Sequence, residues 1–198
     1  MTARLCLIRH GETDWNLARR IQGHTDIPLN HTGLEQARLL SQSLADESFD
    51  AIYASDLSRA RQTAEATAHR LRQIVQLDPA LRERHYGDFQ ARTYDESRAL
   101  YPEAYARFEM REPSAAFPGG GESLEVFLER VRTTLNRIAD AHPFGKVLVV
   151  THGGVLDMAH RVAADLPLQQ RRDFPISNAT VNWLMREEGS WRDRKSVV

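Results

Sequence analysis

The sequence has 198 residues, of which 41% are hydrophobic and 27% charged. This composition is typical of a soluble globular domain and excludes a disordered, fibrous or membrane-embedded chain. The 26 basic and 27 acidic residues leave a net charge of −1, and no segment is strongly basic. A nucleic-acid partner is therefore not expected, since such proteins neutralise phosphates with a basic face.

Cys6 is the single cysteine and lies in the apolar run at residues 5–8. A lone cysteine excludes an intrachain disulfide and a cysteine-based metal site, and this setting predicts a buried, inert thiol. The run is far too short for a signal peptide or a membrane span. We therefore expect a cytoplasmic protein with no membrane contact.

Apolar runs alternate with amphipathic helical patterns, as in an α/β protein. In the first part of the chain the pattern predicts strands at residues 4–9, 51–54 and 74–77. A helix that opens at Thr32-Gly33 follows the first strand, and its apolar face carries Leu34, Ala37, Leu40 and Leu44. A second helix, at about 58–73, follows the second strand and carries Ala60, Ala64, Ala68 and Leu71.

The segment at about 85–121 is different, because it is rich in aromatic residues and arginine and ends in Pro-Gly-Gly-Gly. A capping box at Thr93 and Glu96 predicts one helix within it. We interpret the segment as a lid-like insertion over the sheet, inside one domain that spans residues 1–198.

After the insertion, the pattern predicts a helix at 124–141, a strand at 146–150, a helix at 155–164 and a terminal hairpin at 178–185 and 190–197, turned near Gly189. The expected fold is a three-layer α/β sandwich in which helices flank a mostly parallel central sheet.

Two histidines occupy matching positions, because His10 and His152 each follow an apolar strand and precede a glycine. In open parallel sheets, ligands bind beyond the carboxyl ends of the strands, so both imidazoles can reach one crevice. The neighbouring glycines allow the backbone to approach a ligand closely.

The residues around these histidines resemble the histidine phosphatase superfamily, the phosphoglycerate mutase-like proteins. The matching motifs follow in the family's order: Arg9-His10-Gly11-Glu12-Thr13 with Trp15-Asn16, Gln22-Gly23, Thr32-Gly33-x-x-Gln36-Ala37, Ser55-Asp56-Leu57-x-Arg59-Ala60, Leu81-x-Glu83-x-x-x-Gly87, Gly120-Gly121-Glu122-Ser123, Thr151-His152-Gly153-Gly154 and Asn178-Ala179. The resemblance spans nearly the whole chain.

By this resemblance, His10 is the nucleophile that forms a phosphohistidine, and Glu83 is the proton donor and acceptor. Arg9 and Arg59 bind the phosphate with guanidinium groups, and a protonated His152 adds a further contact. The phosphate- and substrate-binding positions that it implies are Arg9, Gly11, Asn16, Gln22, Gly23, Arg59, Glu83, Tyr86, His152 and Gly153. From the residues alone, Arg59 could lie on a solvated arginine-rich helix face and Glu83 in a surface ion-pair cluster.

The implied substrate is a small-molecule phosphomonoester. No metal ion and no cofactor are expected, because no metal-binding motif is present and the two histidines lie beside arginines. A homodimer is compatible with the sequence.

Two alternatives to a phosphatase stay open. The run from Glu83 to Gly87 is similar to the cofactor-dependent phosphoglycerate mutases, whereas the stretch Pro118–Ser123 is similar to the phosphatase branch. A mutase must exclude water from its phosphohistidine, and a short insertion offers less cover for that task. We therefore expect a hydrolase, with a mutase as the alternative and a non-catalytic phospholigand-binding module as a third function.

Overall fold

The computed structural model describes residues 2–194, which form a six-stranded sheet. The strands are β1 (Thr2–Arg9), β2 (Ala51–Ala54), β3 (Val75–Leu77), β4 (Lys146–Thr151), β5 (Val181–Glu187) and β6 (Ser190–Arg194). They lie in the order β3-β2-β4-β1-β5-β6. The first four strands of this order are parallel, whereas β5 pairs antiparallel with β1 and β6 pairs antiparallel with β5. The prediction of a mostly parallel sheet is confirmed.

The strands β5 and β6 form the predicted hairpin. Glu188 and Gly189 both have positive φ angles, 51° and 82°, which the tight turns between paired strands favour. In this hairpin, β5 begins at Val181 instead of the predicted Asn178. The predicted end of the second strand, at residues 195–197, lies outside the described residues.

Seven α-helices connect the strands of the described chain. They are α1 (Asp14–Leu17), α2 (His31–Ser43), α3 (Ser58–Leu71), α4 (Tyr94–Leu100), α5 (Pro102–Glu109), α6 (Leu124–Ala141) and α7 (Gly153–Ala164). Two short 3₁₀ helices, Pro79–Leu81 and Gly87–Phe89, flank the segment that carries Glu83. The short helix α1 and both 3₁₀ helices have no counterpart in the sequence-based prediction.

The two faces of the sheet bury separate apolar clusters because side chains alternate along each strand. In β1, Leu5 and Leu7 face the cluster formed with α6 and α7, whereas Cys6 and Ile8 face the cluster formed with α2 and α3. The three-layer sandwich is therefore confirmed. Cys6 is fully buried, and burial raises the pKa of its thiol, as expected for an inert cysteine.

The predicted apolar face of α2 is wrong at Leu34, which is 50% exposed. The buried positions are Gly33, Ala37, Leu40 and Ser41, and they follow the helical spacing from Gly33. Leu34 lies about 100° around the helix from Gly33 and therefore at the margin of this face.

The segment 85–121 contains two α-helices, α4 and α5, instead of the predicted one. The capping box at Thr93 and Glu96 is present and begins α4. Pro102 then ends that helix, because the residue before a proline disfavours helical dihedrals; Tyr101 has φ −136° and ψ 59°. The segment packs around its own aromatic cluster, hereafter the aromatic cluster, which comprises Phe89, Tyr105 and Phe117 together with Ile21.

Candidate active site

The carboxyl ends of β1 and β4 bring the two sequence-predicted histidines together. Arg9 pairs with Thr151 in the parallel register, and the His10 amide donates to the Thr151 carbonyl over 2.9 Å. The His10 and His152 rings lie 5.2 Å apart between centroids, and they are 4% and 0% exposed. The expectation of a joint crevice at the strand ends agrees with this geometry.

His10 is held in one neutral tautomer. Its Nδ1 lies 2.7 Å from the Gly11 carbonyl oxygen; because that oxygen only accepts, the proton is on Nδ1 and the lone pair is on Nε2. Burial lowers the pKa of His10 well below its usual value, and the charges of Arg59 and Arg9 lower it further. His10 therefore presents an unprotonated Nε2 at neutral pH.

Arg59 is completely buried on α3. Its Nη groups donate to the carbonyls of Thr25 and Gly23, and its Nε donates to His152 Nδ1 over 3.3 Å. Burial lowers the pKa of Arg59 to about 10, a shift that the charge of Glu83 opposes. The guanidinium thus keeps its positive charge at neutral pH, and the solvated-face interpretation of Arg59 is wrong.

His152 differs from the sequence-based expectation of a protonated ring. Its Nδ1 accepts from Arg59, and its Nε2 lies 2.9 Å from Ser55 Oγ, to which it donates. Burial and the charge of Arg59 lower the pKa of His152 well below its usual value. The ring is therefore neutral in this arrangement, because a second positive charge beside Arg59 would be strongly disfavoured.

Arg9 supplies the second guanidinium. Its Nη1 donates to the Ile176 carbonyl over 2.7 Å, while its Nε is buried and has no hydrogen-bond partner among the described residues. Burial lowers the pKa of Arg9, and the charge of Glu83 opposes that shift. A buried N–H without an acceptor is costly, so the hydrogen-bonding capacity of Arg9 Nε is unused among the described residues.

Glu83 lies between the two 3₁₀ helices with its carboxylate fixed at both oxygens. Oε1 accepts from the Arg84 amide over 2.8 Å, and Oε2 accepts from the Gly154 amide over 2.9 Å, at the start of α7. A Cβ at position 154 would overlap Glu83 Oε1, so only glycine allows this approach. Glu83 is thus part of the crevice and not of the surface ion-pair cluster considered from sequence.

The predicted glycines serve mainly to position other groups. The Gly11 amide donates to Thr63 Oγ1, so Gly11 orients His10 through its carbonyl while its own amide is occupied. Gly23, at φ 54°, supplies a carbonyl to Arg59. A Cβ at Gly153 would lie 3.6 Å from Arg9 Nε, which places Gly153 directly against that guanidinium.

Three further predicted positions are Asn16, Gln22 and Tyr86. Asn16 Oδ1 accepts from the amide and the hydroxyl of Thr13, which leaves the Nδ2 end of this amide to act as a donor. Gln22 is buried, and its Oε1 has no hydrogen-bond partner among the described residues. Tyr86 packs against Phe117, and burial together with the charge of Glu83 raises the pKa of its phenol.

Several supporting residues have no assigned role from sequence. Asn178 Nδ2 donates to the His10 carbonyl and the Ala179 amide donates to the Arg9 carbonyl, so a distant loop fixes the end of β1. Ser55 fixes the His152 ring. The motifs Ser55-Asp56 and Asn178-Ala179 were the available signals, because both resemble the family pattern.

Comparison with known proteins identifies the family of this chain. The family sequence model described as histidine phosphatase superfamily (branch 1) matches residues 5–196. This chain belongs to the histidine phosphatase superfamily. Within residues 2–194, no helix is long and apolar enough to cross a membrane, and no group of three or more His, Cys, Asp or Glu residues is arranged to hold a metal ion.

Named members of the superfamily include phosphatases and mutase-like proteins. A phosphoglycerate mutase-like protein 4 of Arabidopsis thaliana is 41% identical over 91% of this chain and 78% of the relative. A metal-independent phosphoserine phosphatase of the same plant is 41% identical over 94% of this chain and 78% of the relative. The solved structure of Bacillus stearothermophilus YhfR superposes with a TM-score of 0.89 at 34% identity, covering 96% of this chain and 95% of that one.

Proposed function

We propose that this protein is a metal-independent phosphomonoester hydrolase that acts through a phosphohistidine on His10. The observation that carries the proposal is the unprotonated Nε2 of His10 in a buried site that also contains the guanidinium groups of Arg9 and Arg59. A neutral imidazole is a nucleophile, and fixed guanidinium groups stabilise the charge of a transferring phosphoryl group.

In the first step, His10 Nε2 attacks phosphorus and the bond to the leaving oxygen breaks. The leaving oxygen keeps the electron pair and takes a proton from Glu83. In the second step, water attacks the phosphohistidine and gives a proton to the Glu83 carboxylate, and the electron pair of the P–N bond returns to Nε2. Arg9 Nε, the remaining N–H groups of Arg59 and Asn16 Nδ2 hold the phosphoryl oxygens throughout. The neutral His152 ring orients Arg59 by accepting its Nε–H.

The first substrate to test is suggested by a relative, and the segment 85–121 is the part of the chain that we expect to contact it. We propose that this segment covers the crevice, since the charge of Glu83 reaches Tyr86 and Tyr86 packs against the aromatic cluster at Phe117. Because one relative is a phosphoserine phosphatase, phosphoserine is the first substrate to test.

A mutase is the second candidate, because another relative at 41% identity is named phosphoglycerate mutase-like. The two functions differ only in the second step, in which a mutase transfers the phosphoryl group to an alcohol of the substrate instead of water. Measuring both inorganic phosphate and isomerised phosphoglycerate separates them.

The decisive test uses Glu83→Gln and two substrates, phosphoserine and p-nitrophenyl phosphate, in excess EDTA. Loss of a needed general acid costs about 10²–10⁴-fold. We expect phosphoenzyme formation to slow by this factor with phosphoserine, whose alkoxide needs the proton, and far less with the aryl ester. With the aryl ester, phosphohistidine should accumulate after a burst.

The control is His69→Ala, an exposed histidine in the last turn of α3, at the opposite end of that helix from Arg59. His10→Ala, in contrast, should abolish the acid-labile phosphoenzyme. An unchanged phosphoenzyme signal in His10→Ala would place the nucleophile elsewhere. Equal losses on both substrates in Glu83→Gln would make Glu83 a positioning residue, and turnover lost with EDTA would contradict the metal-independent mechanism. No turnover of any phosphomonoester by the wild type would favour a binding module.

A further inference from the structure

Arg130 of α6 donates hydrogen bonds to the backbone segment that ends at Glu83. Its Nη1 donates to the carbonyls of Ala80 and Arg82, both over 2.9 Å, and its Nη2 donates to the Glu83 carbonyl over 3.1 Å. One side chain therefore fixes three carbonyls in the four residues that end at Glu83.

Glu122 completes this arrangement from the other side. Its carboxylate accepts Arg130 Nε and Nη2, both over 2.8 Å, so that the pair is bidentate. Glu122 Oε2 also accepts the amide of His85 over 2.8 Å. All five N–H groups of the guanidinium are thus engaged, which is the geometry that arginine and not lysine can provide.

The pair is shielded from solvent, because the side chains of Arg130 and Glu122 are 21% and 16% exposed. Burial opposes ionisation of Glu122, yet the hydrogen bonds from Arg130 and from the His85 amide hold the pKa of its carboxyl below its usual value. The pair is therefore charged at neutral pH.

The face of α6 that carries Arg130 also lies near the Gly154 amide, which donates to the Glu83 carboxylate. The Arg130 guanidinium lies 4.9 Å from the centroid of the Phe127 ring. Phe127 in turn lies against Gly154, since a Cβ there would be 3.1 Å from Phe127 Cε1. Arg130 thus contacts the backbone of Glu83 directly and adjoins, through Phe127, the donor to its side chain.

We propose that Arg130, together with Glu122, is a positioning residue that sets where the Glu83 carboxyl meets the leaving oxygen and the attacking water. None of its hydrogen bonds goes to Arg9, His10, Arg59 or His152. Its removal should therefore change proton transfer and leave phosphate binding intact. This inference rests on the proposed acid–base function of Glu83.

The test compares Arg130→Lys with wild type by rapid quench on phosphoserine and p-nitrophenyl phosphate. A displacement of about 1 Å in a reacting group costs on the order of 10²-fold, so we expect kcat for phosphoserine to fall about 10- to 100-fold. KM should stay within about twofold for both substrates, and phosphohistidine formation from the aryl ester within about threefold. Phosphohistidine decay should slow as much as kcat.

Two further variants separate positioning from general structural support. Arg132→Lys makes the same substitution on the same helix, at an exposed arginine paired with Glu129, and should behave as wild type. In a Glu83→Gln background, Arg130→Lys should cause no further loss in phosphohistidine decay, because the group that it positions is already gone.

If Arg130→Lys does not fold, as judged by circular dichroism and thermal unfolding, Glu122→Gln replaces it. That change keeps the shape but removes the charge, and it should give the same pattern with a smaller loss. Equal slowing of both substrates, a raised KM, or additive loss with Glu83→Gln would overturn the inference. A Glu83→Gln enzyme that does not distinguish the two substrates would overturn the proposed acid–base role of Glu83 instead.

Discussion

The site at the ends of β1 and β4 and the segment 85–121 are built in different ways. The first consists of side chains that emerge directly from the parallel strands and the buried face of α3, with His10, Arg59 and His152 almost inaccessible. The second has few backbone pairings with the sheet and is held by the aromatic cluster and by hydrogen bonds from Arg84 and Arg20 to its carbonyls at Ala115 and Ala91. Under the proposed function, this difference predicts that phosphate chemistry depends on the sheet and that recognition of the rest of the substrate depends on the separately packed segment.

The largest expected effect is a loss of stability when the aromatic cluster is disrupted, and it tests whether the sheet-end site and the segment 85–121 are independent. Phe89 is completely buried and contacts Tyr101, Tyr105, Phe108 and Phe117. Phe89→Ala should lower the free energy of unfolding by about 3–5 kcal/mol, measured with urea, because truncation leaves a cavity. If the segment is a separate cover, phosphohistidine formation from p-nitrophenyl phosphate should change little in the folded variant, while the KM for phosphoserine rises.

Loss of aryl phosphate chemistry in folded Phe89→Ala would contradict the division, since it would mean that the sheet-end site depends on the cover. Tyr94→Ala is the matched control, because Tyr94 is an aromatic residue of the same segment that is 46% exposed, at the start of α4. Its unfolding free energy should change far less.

The next effect concerns Gly154, where the sheet-end site meets the loop of Glu83. Gly154→Ala should reduce kcat for phosphoserine by about 10²-fold, because the new methyl group displaces the Glu83 carboxylate. Gly153→Ala tests the neighbouring position, where the added Cβ would make only ordinary contact with Arg9. Steady-state kinetics should show a clearly smaller loss there, and equal losses would remove the argument that Gly154 is needed for the approach of Glu83.

The smallest effect is on the pH dependence of stability. The folded-state pKa values of His10 and His152 are lowered by burial, so below about pH 6.5 the unfolded chain binds protons that the folded chain does not. The free energy of unfolding should therefore fall as the pH decreases from 6.5 toward the folded pKa values, by up to about 1.4 kcal/mol per pH unit for each histidine.

Urea unfolding at pH 7, 6 and 5 in phosphate-free buffer measures this slope. His10→Gln should reduce it by up to about 1.4 kcal/mol per pH unit, whereas His31→Gln, at an exposed position, should leave it unchanged. A slope unaffected by His10→Gln would show that the buried ring is not neutral in the folded protein.

The sequence predicted the parts of the molecule that depend on periodic patterns and strand ends. The positions of His10 and His152 followed from apolar runs that end in His-Gly, because parallel strands end at the same edge of the sheet. The second helix of the segment 85–121 was missed although Pro102 was visible. The His152 ring is neutral instead of protonated, because Arg59 donates directly to its Nδ1, a contact that only the three-dimensional arrangement shows.

Arg130 marks the limit of sequence reasoning in this chain. It lies on an amphipathic helix among several arginines, so nothing in the local pattern distinguishes it from Arg132. Its role depends on carbonyls that are 47 to 50 residues away in the chain. Backbone acceptors carry no side-chain signature, and such contacts are therefore invisible in the sequence.

The loop that fixes the end of β1 has a consequence for how the site is assembled during folding. Ile176 and Asn178 hold Arg9 and His10 through hydrogen bonds that span 167 and 168 residues. Contacts of such separation form only after a large loss of chain entropy, which slows folding. A nascent chain whose synthesis has not reached Asn178 lacks the groups that fix Arg9 and His10, so the proposed phosphatase activity should arise late, with closure of the whole sheet.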